Sequence, residues 1–233
     1  MYMDCSLTKD KDILPGLAGI AAYFHRHTGG LPGRYVAGLW EKSLIQDLLW
    51  SSHPAPGRRP SSFPAPSYSW ASRIGLLDIG WMGREVNDEP YVSVVDLGSP
   101  TDRLNSYIDA PKEPLVLSGF LLPGKLQRKY GNEYLASLSL ETALFQKDMS
   151  WTSGFYLDVQ DLVEGAEISQ DIVLMPMIRY RITVFFFLVL QLHTEWIGNV
   201  TYERVGLMRI DTAADAKLLC LQEEESRKHI FLY

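Results

Sequence analysis

The stretch "RITVFFFLVLQL", Arg181 to Leu192, decides how the rest of the chain is read. From Ile182 to Leu190 only Thr183 interrupts the apolar run. That is far short of the roughly 20 apolar residues a membrane-spanning helix needs. With Val184, Phe185, Phe186, Phe187 and Val189 it predicts a strand buried on both faces. Working outward, "YVSVVDL" (91–97), "LVLSGFLL" (115–122), "GFYLDV" (154–159), "DIVLMPMI" (171–178) and "VTYERVGLMRI" (200–210) predict further strands. Gly98-Ser99-Pro100, Pro123-Gly124, Glu164-Gly165 and Gly198-Asn199 are the turn signals between them.

The octet "APSYSWAS" (65–72) reads as one more strand. Alternation puts Tyr68 and Trp70 on a core face and Ser67, Ser69 and Ala71 on the other, where the hydroxyls can bond neighbouring backbone. Upstream, "SSHPAPGRRPSSFPAP" (51–66) holds five prolines and no acidic residue, and reads as an exposed connector. Residues 10–28 carry Leu14, Leu17, Ala18, Ala21 and Phe24 at helical spacing, with Pro15 in the first turn and Gly29-Gly30 as the stop. "WEKSLIQDLL" (40–49) predicts a second helix with Trp40, Leu44 and Leu48 on one face. A last short helix is expected over 212–227, capped by Asp211 and Thr212 with Asp215 as capping-box partner, before a solvated tail. The expectation is an α+β fold: a helical segment (1–50), a Pro-rich connector (51–66) and a β-rich domain (67–233). They pack as one unit around a mostly antiparallel sheet or irregular barrel.

Composition narrows the function classes. The 233 residues are 46% hydrophobic and 21% charged, ordinary globular usage. A net charge of -6 offers no basic face for nucleic acid. Cys5 and Cys220 make no disulfide framework, and "MYMDCSLTKDKD" lacks the basic and apolar regions of a signal peptide, so a cytoplasmic setting is expected. The sequon Asn199-Val200-Thr201 is accordingly expected to be bare.

Chemistry is sparse. Ser67, Ser69 and Ser72 lack the G-x-S-x-G elbow of a serine nucleophile. His25 and His27 are about 200° apart on a helix and cannot chelate one metal from one face, and His53, His193 and His229 are isolated. "GGLPG" (29–33) follows a helix and has no Lys-Ser/Thr after it, so it is no phosphate cradle. No catalytic residue, metal site or cofactor is expected. Six tryptophans leave one alternative open, a stand-alone β-rich module that binds carbohydrate or another ligand, although core packing explains them better.

Five stretches taken in order resemble one family. They are "LTKDKDILPGLAGIA" (7–21), "YVAGLWEKSLIQDLLW" (35–50), "FPAPSYSWAS" (63–72), "FYLD" (155–158) and "YERVGLMRI" (202–210). The set resembles the region downstream of the heterokaryon incompatibility (HET) domain in filamentous-fungal HET proteins. The residues carrying the likeness are Leu14, Gly19, Tyr35, Gly38, Leu39, Trp40, Leu49, Trp50, Pro66, Ser67, Ser69, Trp70, Ala71, Ser72, Arg204 and Gly206. Departures include Tyr68, where the family carries a first tryptophan, and the phenylalanines of 184–192. The HET domain's own motifs are absent, so none of its residues carry over. The resemblance implies a non-catalytic accessory or regulatory module in non-self recognition and cell death, a fragment or truncated paralogue. Its implied partner is a HET domain in cis or in trans.

Overall fold

The structure, a computed structural model, describes residues 9–52, 56–61, 65–78, 89–98, 113–128, 133–139, 144–150, 154–158, 169–180, 184–211 and 227–233. The chain is mostly β, with one large mixed sheet and an N-terminal helix. A 3-10 turn at Asp10–Asp12 runs into α1 (Ile13–His27), which Gly29 and Gly30 end at left-handed φ. A tight hairpin follows, β1 (Tyr35–Val36) and β2 (Leu39–Trp40), then a 3-10 turn at Glu41–Ser43, the single-turn α2 (Leu44–Asp47) and β3 (Ser51–Ser52). Next come a 3-10 turn at Trp70–Ser72 and β4 (Leu77–Asp78), paired with β3. The large sheet takes β5 (Glu89–Pro90), β6 (Ser93–Asp96), β7 (Leu115–Gly119), β8 (Leu122–Arg128), β9 (Glu133–Ser139) and β10 (Leu144–Ser150). β11 (Phe155–Leu157), β12 (Ser169–Tyr180), β13 (Val184–Trp196), β14 (Asn199–Ile210) and β15 (Lys228–Leu232) complete it.

The chain from β5 to β6 links the two ends of one run of paired strands. β12, β13 and β14 are antiparallel neighbours, and β15 lies parallel to β14 through Thr201↔Phe231. β7 is antiparallel to β15, and β6 to β7. β5, just before β6 in the chain, pairs back to β12 through Ile178↔Pro90, and the Tyr91 N–H donates to the Met177 carbonyl at 2.9 Å. β8, β9 and β10 extend the sheet from the other half of β12. A Cβ on Gly119 of β7 would sit 3.1 Å from Met175 Cε of β12, although three strands separate the two along the ladder.

This arrangement explains the apolar run. Phe186, Leu188 and Leu190 of β13 pack with Met175, Leu207, Leu117, Ile230 and Leu232 on one side, where Leu48 and Tyr68 of the N-terminal part join them. Phe185, Phe187 and Val189 pack on the other side with Leu174, Met208, Phe155, Leu157 and Leu122. Every position from Phe185 to Leu190 is buried, each side chain worth about 1.5–3 kcal/mol of transfer free energy.

Several expectations are corrected. The helix expected over 40–49 is only α2, because Trp40 belongs to the β1–β2 hairpin and a 3-10 turn takes up 41–43. The octet is no strand. Ser69 caps a 3-10 turn by accepting from the Ala71 N–H, so local hydroxyl-to-backbone bonding displaces the ladder. The described part of 51–66 is no exposed connector, since Ser51, Ser52, Gly57, Pro60, Ala65 and Pro66 are buried. The tail is not solvated but forms β15, with Ile230 and Leu232 in the core. Of the last helix, expected over 212–227, residues 212–226 lie outside the described residues.

The β13–β14 hairpin turns at Ile197-Gly198, with φ of 49° and 75°. Two positive φ values match the type I′ turns of tight hairpins, which favour Asn-Gly. A β-branched residue is strained there, and Ile197 is 78% exposed, so little burial offsets the strain. Ile197→Asn is expected to stabilise the fold by about 1 kcal/mol, raising Tm by about 2–4 °C. An unchanged or lower Tm in calorimetry would show the turn to be relaxed.

Candidate functional site

Arg204, in the middle of β14, is fully buried, as is Asp158 just after β11. Arg204 Nε donates to Asp158 Oδ2 at 2.9 Å and Nη2 to Asp158 Oδ1 at 3.3 Å, a side-on bidentate pair. Nη1 donates to the Leu48 carbonyl at 2.6 Å and Nη2 to the Trp50 carbonyl. The guanidinium carbon lies 3.5 Å from the Trp50 ring centroid. Such a stack is worth about 2 kcal/mol when desolvated. One cation thus gathers the chain just after α2, the residue after β11 and the central strand β14.

Burial pushes the Asp158 carboxyl above its usual range, while the charges of Arg204 and Arg73 pull it back. Burial pushes Arg204 down, and the Asp158 charge and hydrogen bond raise it. A guanidinium keeps its proton in proteins, so the geometry is that of an ion pair. Arg73 lies next to it, also buried. Its Nη2 donates to the Arg204 carbonyl at 3.2 Å, and burial lowers it to about 10 against the pull of Asp158. At its outer edge Glu203 takes Arg59 at 2.6 Å and stands 3.8 Å from His193.

The octet is laced into this centre. Ser67 Oγ accepts from the Arg204 backbone N–H at 2.8 Å and donates to the main-chain oxygen of Tyr233. The Trp50 Nε1–H donates to the Tyr68 carbonyl at 2.9 Å. Ser69 Oγ donates to the Ala37 carbonyl, and the Trp70 Nε1–H to the Gly38 carbonyl at 2.9 Å. Ser72 Oγ donates to the Ser69 carbonyl at 2.6 Å. Gly38 has φ 91°, and a Cβ there would stand 2.6 Å from Trp70 Nε1, so the hairpin admits only glycine where Trp70 crosses it. A Cβ on Gly206 would meet the Tyr156 carbonyl oxygen at 2.6 Å, so β11 could not close on β14.

The sixteen motif residues thus divide. Gly38, Trp50, Ser67, Ser69, Trp70, Ser72 and Arg204 meet in one hydrogen-bonded network, and Pro66, Ala71 and Gly206 border it in sequence. Leu39 and Leu49 are buried in the larger core, Leu14 packs with Ala65 and Ala71 under α1, and buried Tyr35 sets its ring 4.7 Å from that of half-buried Trp40. Gly19 stands apart, on the exposed side of α1. The sequence reading missed Asp158 and Arg73. A lone carboxylate ending the apolar "GFYL" was the signal for Asp158, although "FYLD" was read only as part of a motif.

Chemically, the hydroxyls of Ser67, Ser69 and Ser72 donate to backbone carbonyls, and the indole N–H groups of Trp50 and Trp70 do the same. These two tryptophans therefore supply packing rather than a sugar platform. Among the described residues no three His, Cys, Asp or Glu side chains gather to hold a metal ion, and no helix is long and apolar enough to cross a membrane. Comparison with protein-family models, curated proteins and solved structures finds no match to this chain.

Removing Asp158 leaves a buried cation without a counter-charge. Asp158→Asn is expected to cost about 3–5 kcal/mol in urea unfolding. The double variant Asp158→Asn with Arg204→Met should lose less than the two single losses added, by about 0.5–3 kcal/mol. Strict additivity would show that the two groups do not act as a pair.

Proposed function

We propose that this chain is a non-catalytic accessory module of a fungal heterokaryon-incompatibility-type protein. It acts in the cytoplasm by packing against, and regulating, a HET domain in its own or another chain. One observation carries the reading. Stretches far apart in sequence, ordered as in that family's region beyond the HET domain, supply side chains to one buried network around Arg204. A shared signature consumed in internal hydrogen bonds belongs to a scaffold, and a scaffold works through its surface. The reading assigns this chain no reaction and no cofactor.

The test is retention of the full chain by an immobilised HET domain from a family member. A folded chain is expected to be retained, and a chain with cooperative unfolding that passes through unretained would sink the proposal. A fluorophosphonate probe is expected to label none of the octet serines, because the hydroxyls of Ser67, Ser69 and Ser72 each donate to a main-chain oxygen. Labelling of Ser67, Ser69 or Ser72 would restore an enzymatic reading.

A further inference from the structure

Helix α1 is partly buried and leaves a stripe uncovered. Ile13 and Leu14 pack against Ala65 and Ala71, with Ala21 buried further along. Towards the helix C-terminus the row that begins at Ile13 emerges from this cover: Ile20 is 66% exposed, Tyr23 57% and Phe24 49%, at the i, i+3, i+4 spacing that puts them side by side. The stripe continues towards Trp40, whose ring lies 5.8 Å from that of Phe24. Scattered apolar residues on a surface are ordinary, but two further observations set this stripe apart.

The first is Gly19, next to Ile20. Glycine inside a helix costs about 0.5–1 kcal/mol against alanine. A Cβ at Gly19 would meet nothing within 4 Å, and its φ is not left-handed, so nothing within the described chain requires glycine there. What the missing side chain does provide is bare backbone, which lets a second helix approach closely. The second observation is charge. From Ile13 to Trp40 there is no Asp or Glu, while Arg26 and Arg34 are present. With the whole chain at -6 and this stretch at +2, the remainder carries -8. Arg34 is partly balanced by Glu41 at 3.9 Å. Arg26 flanks Tyr23 on the helix, its Nε donating to the Ala22 carbonyl. Aromatic and arginine side chains without Lys, Asp or Glu make up the centre of a protein interface.

We propose that this side of α1 docks an amphipathic helix of a partner protein, apolar where it meets Gly19, Ile20, Tyr23 and Phe24 and acidic along its flanks. The inference stands on this surface alone and survives failure of the HET-domain reading.

The test uses the full chain and two fluorescein-labelled helical peptides, each with Leu at i, i+3, i+4 and i+7. One carries Glu at its other positions and its twin carries Lys. In fluorescence anisotropy the Glu peptide is expected to bind at least about tenfold more tightly than the Lys peptide, a difference of about 1.4 kcal/mol. Tyr23→Asp should weaken it by about tenfold, the size of an interface anchor. Gly19→Ala is the sharper variant. It should raise Tm by up to about 4 °C, as a helix-interior Gly→Ala does, and still weaken the peptide, so the loss is not unfolding. Equal binding of the two peptides, or indifference to Gly19→Ala and Tyr23→Asp, would overturn the proposal. So would variants that instead abolish self-association in sedimentation velocity or binding to phosphatidylserine vesicles, which would assign the stripe to a second copy or to lipid.

Discussion

A guanidinium with no exposure to water is the constraint around which the other parts are arranged. Desolvating the Arg204 charge costs several kcal/mol, and only a complete set of acceptors and a counter-charge can offset that. Asp158 supplies the charge, and the Leu48 and Trp50 carbonyls supply acceptors. The three come from two different parts of the chain, so the large sheet cannot satisfy its own strand β14. It needs the segment around α2. The octet then has to cross at Ser67, because the Arg204 N–H in β14 takes its acceptor from there rather than from a neighbouring strand. Such a network gives little net stability compared with an apolar core of the same shape. What it gives is discrimination, since any other docking of the N-terminal part leaves guanidinium N–H groups of Arg204 without the Leu48 and Trp50 acceptors.

The same logic explains which parts were legible in the sequence. A strand buried on both faces writes its burial into every side chain, so the run from Phe185 to Leu190 was readable without its neighbours. The helix at 13–27 was readable for the analogous reason, a periodic face between a proline and a glycine pair. β15 was not. "KHIFL" is short and follows an acidic run, and it becomes a strand only because β7 and β14 stand on either side of it. The octet was misread because alternation of large and small side chains is a weak signal beside three serines. Their hydroxyls can bond their own backbone, and Ser69 does so in capping the turn.

For the network, the residue types were visible but their partners were not. Trp50, Ser67, Ser69, Trp70 and Arg204 stood out in the ordered motifs. Nothing in a linear reading pairs Arg204 with Asp158, since that pairing exists only once β11 lies along β14. Half of each contact is also backbone: the carbonyls of Ala37, Gly38, Leu48, Trp50 and Tyr68. A carbonyl carries no sequence signature, so acceptors of this kind are invisible until the chain path is known.

The hydroxyls of Ser67, Ser69 and Ser72, two indole N–H groups and the Arg204–Asp158 pair are engaged internally, which moves the search for function outward. There Gly19 separates from the other motif residues. Gly38 and Gly206 are explained by what a Cβ would strike, at 2.6 Å in each case, whereas a Cβ at Gly19 would strike nothing. Places where a chain breaks a local rule without an internal reason are where interactions with other molecules are to be sought. In this chain that place coincides with an uncovered apolar stripe, in a stretch without a single carboxylate. The interior therefore explains why the fold is unique, and the exception on α1 marks where that fold meets something else.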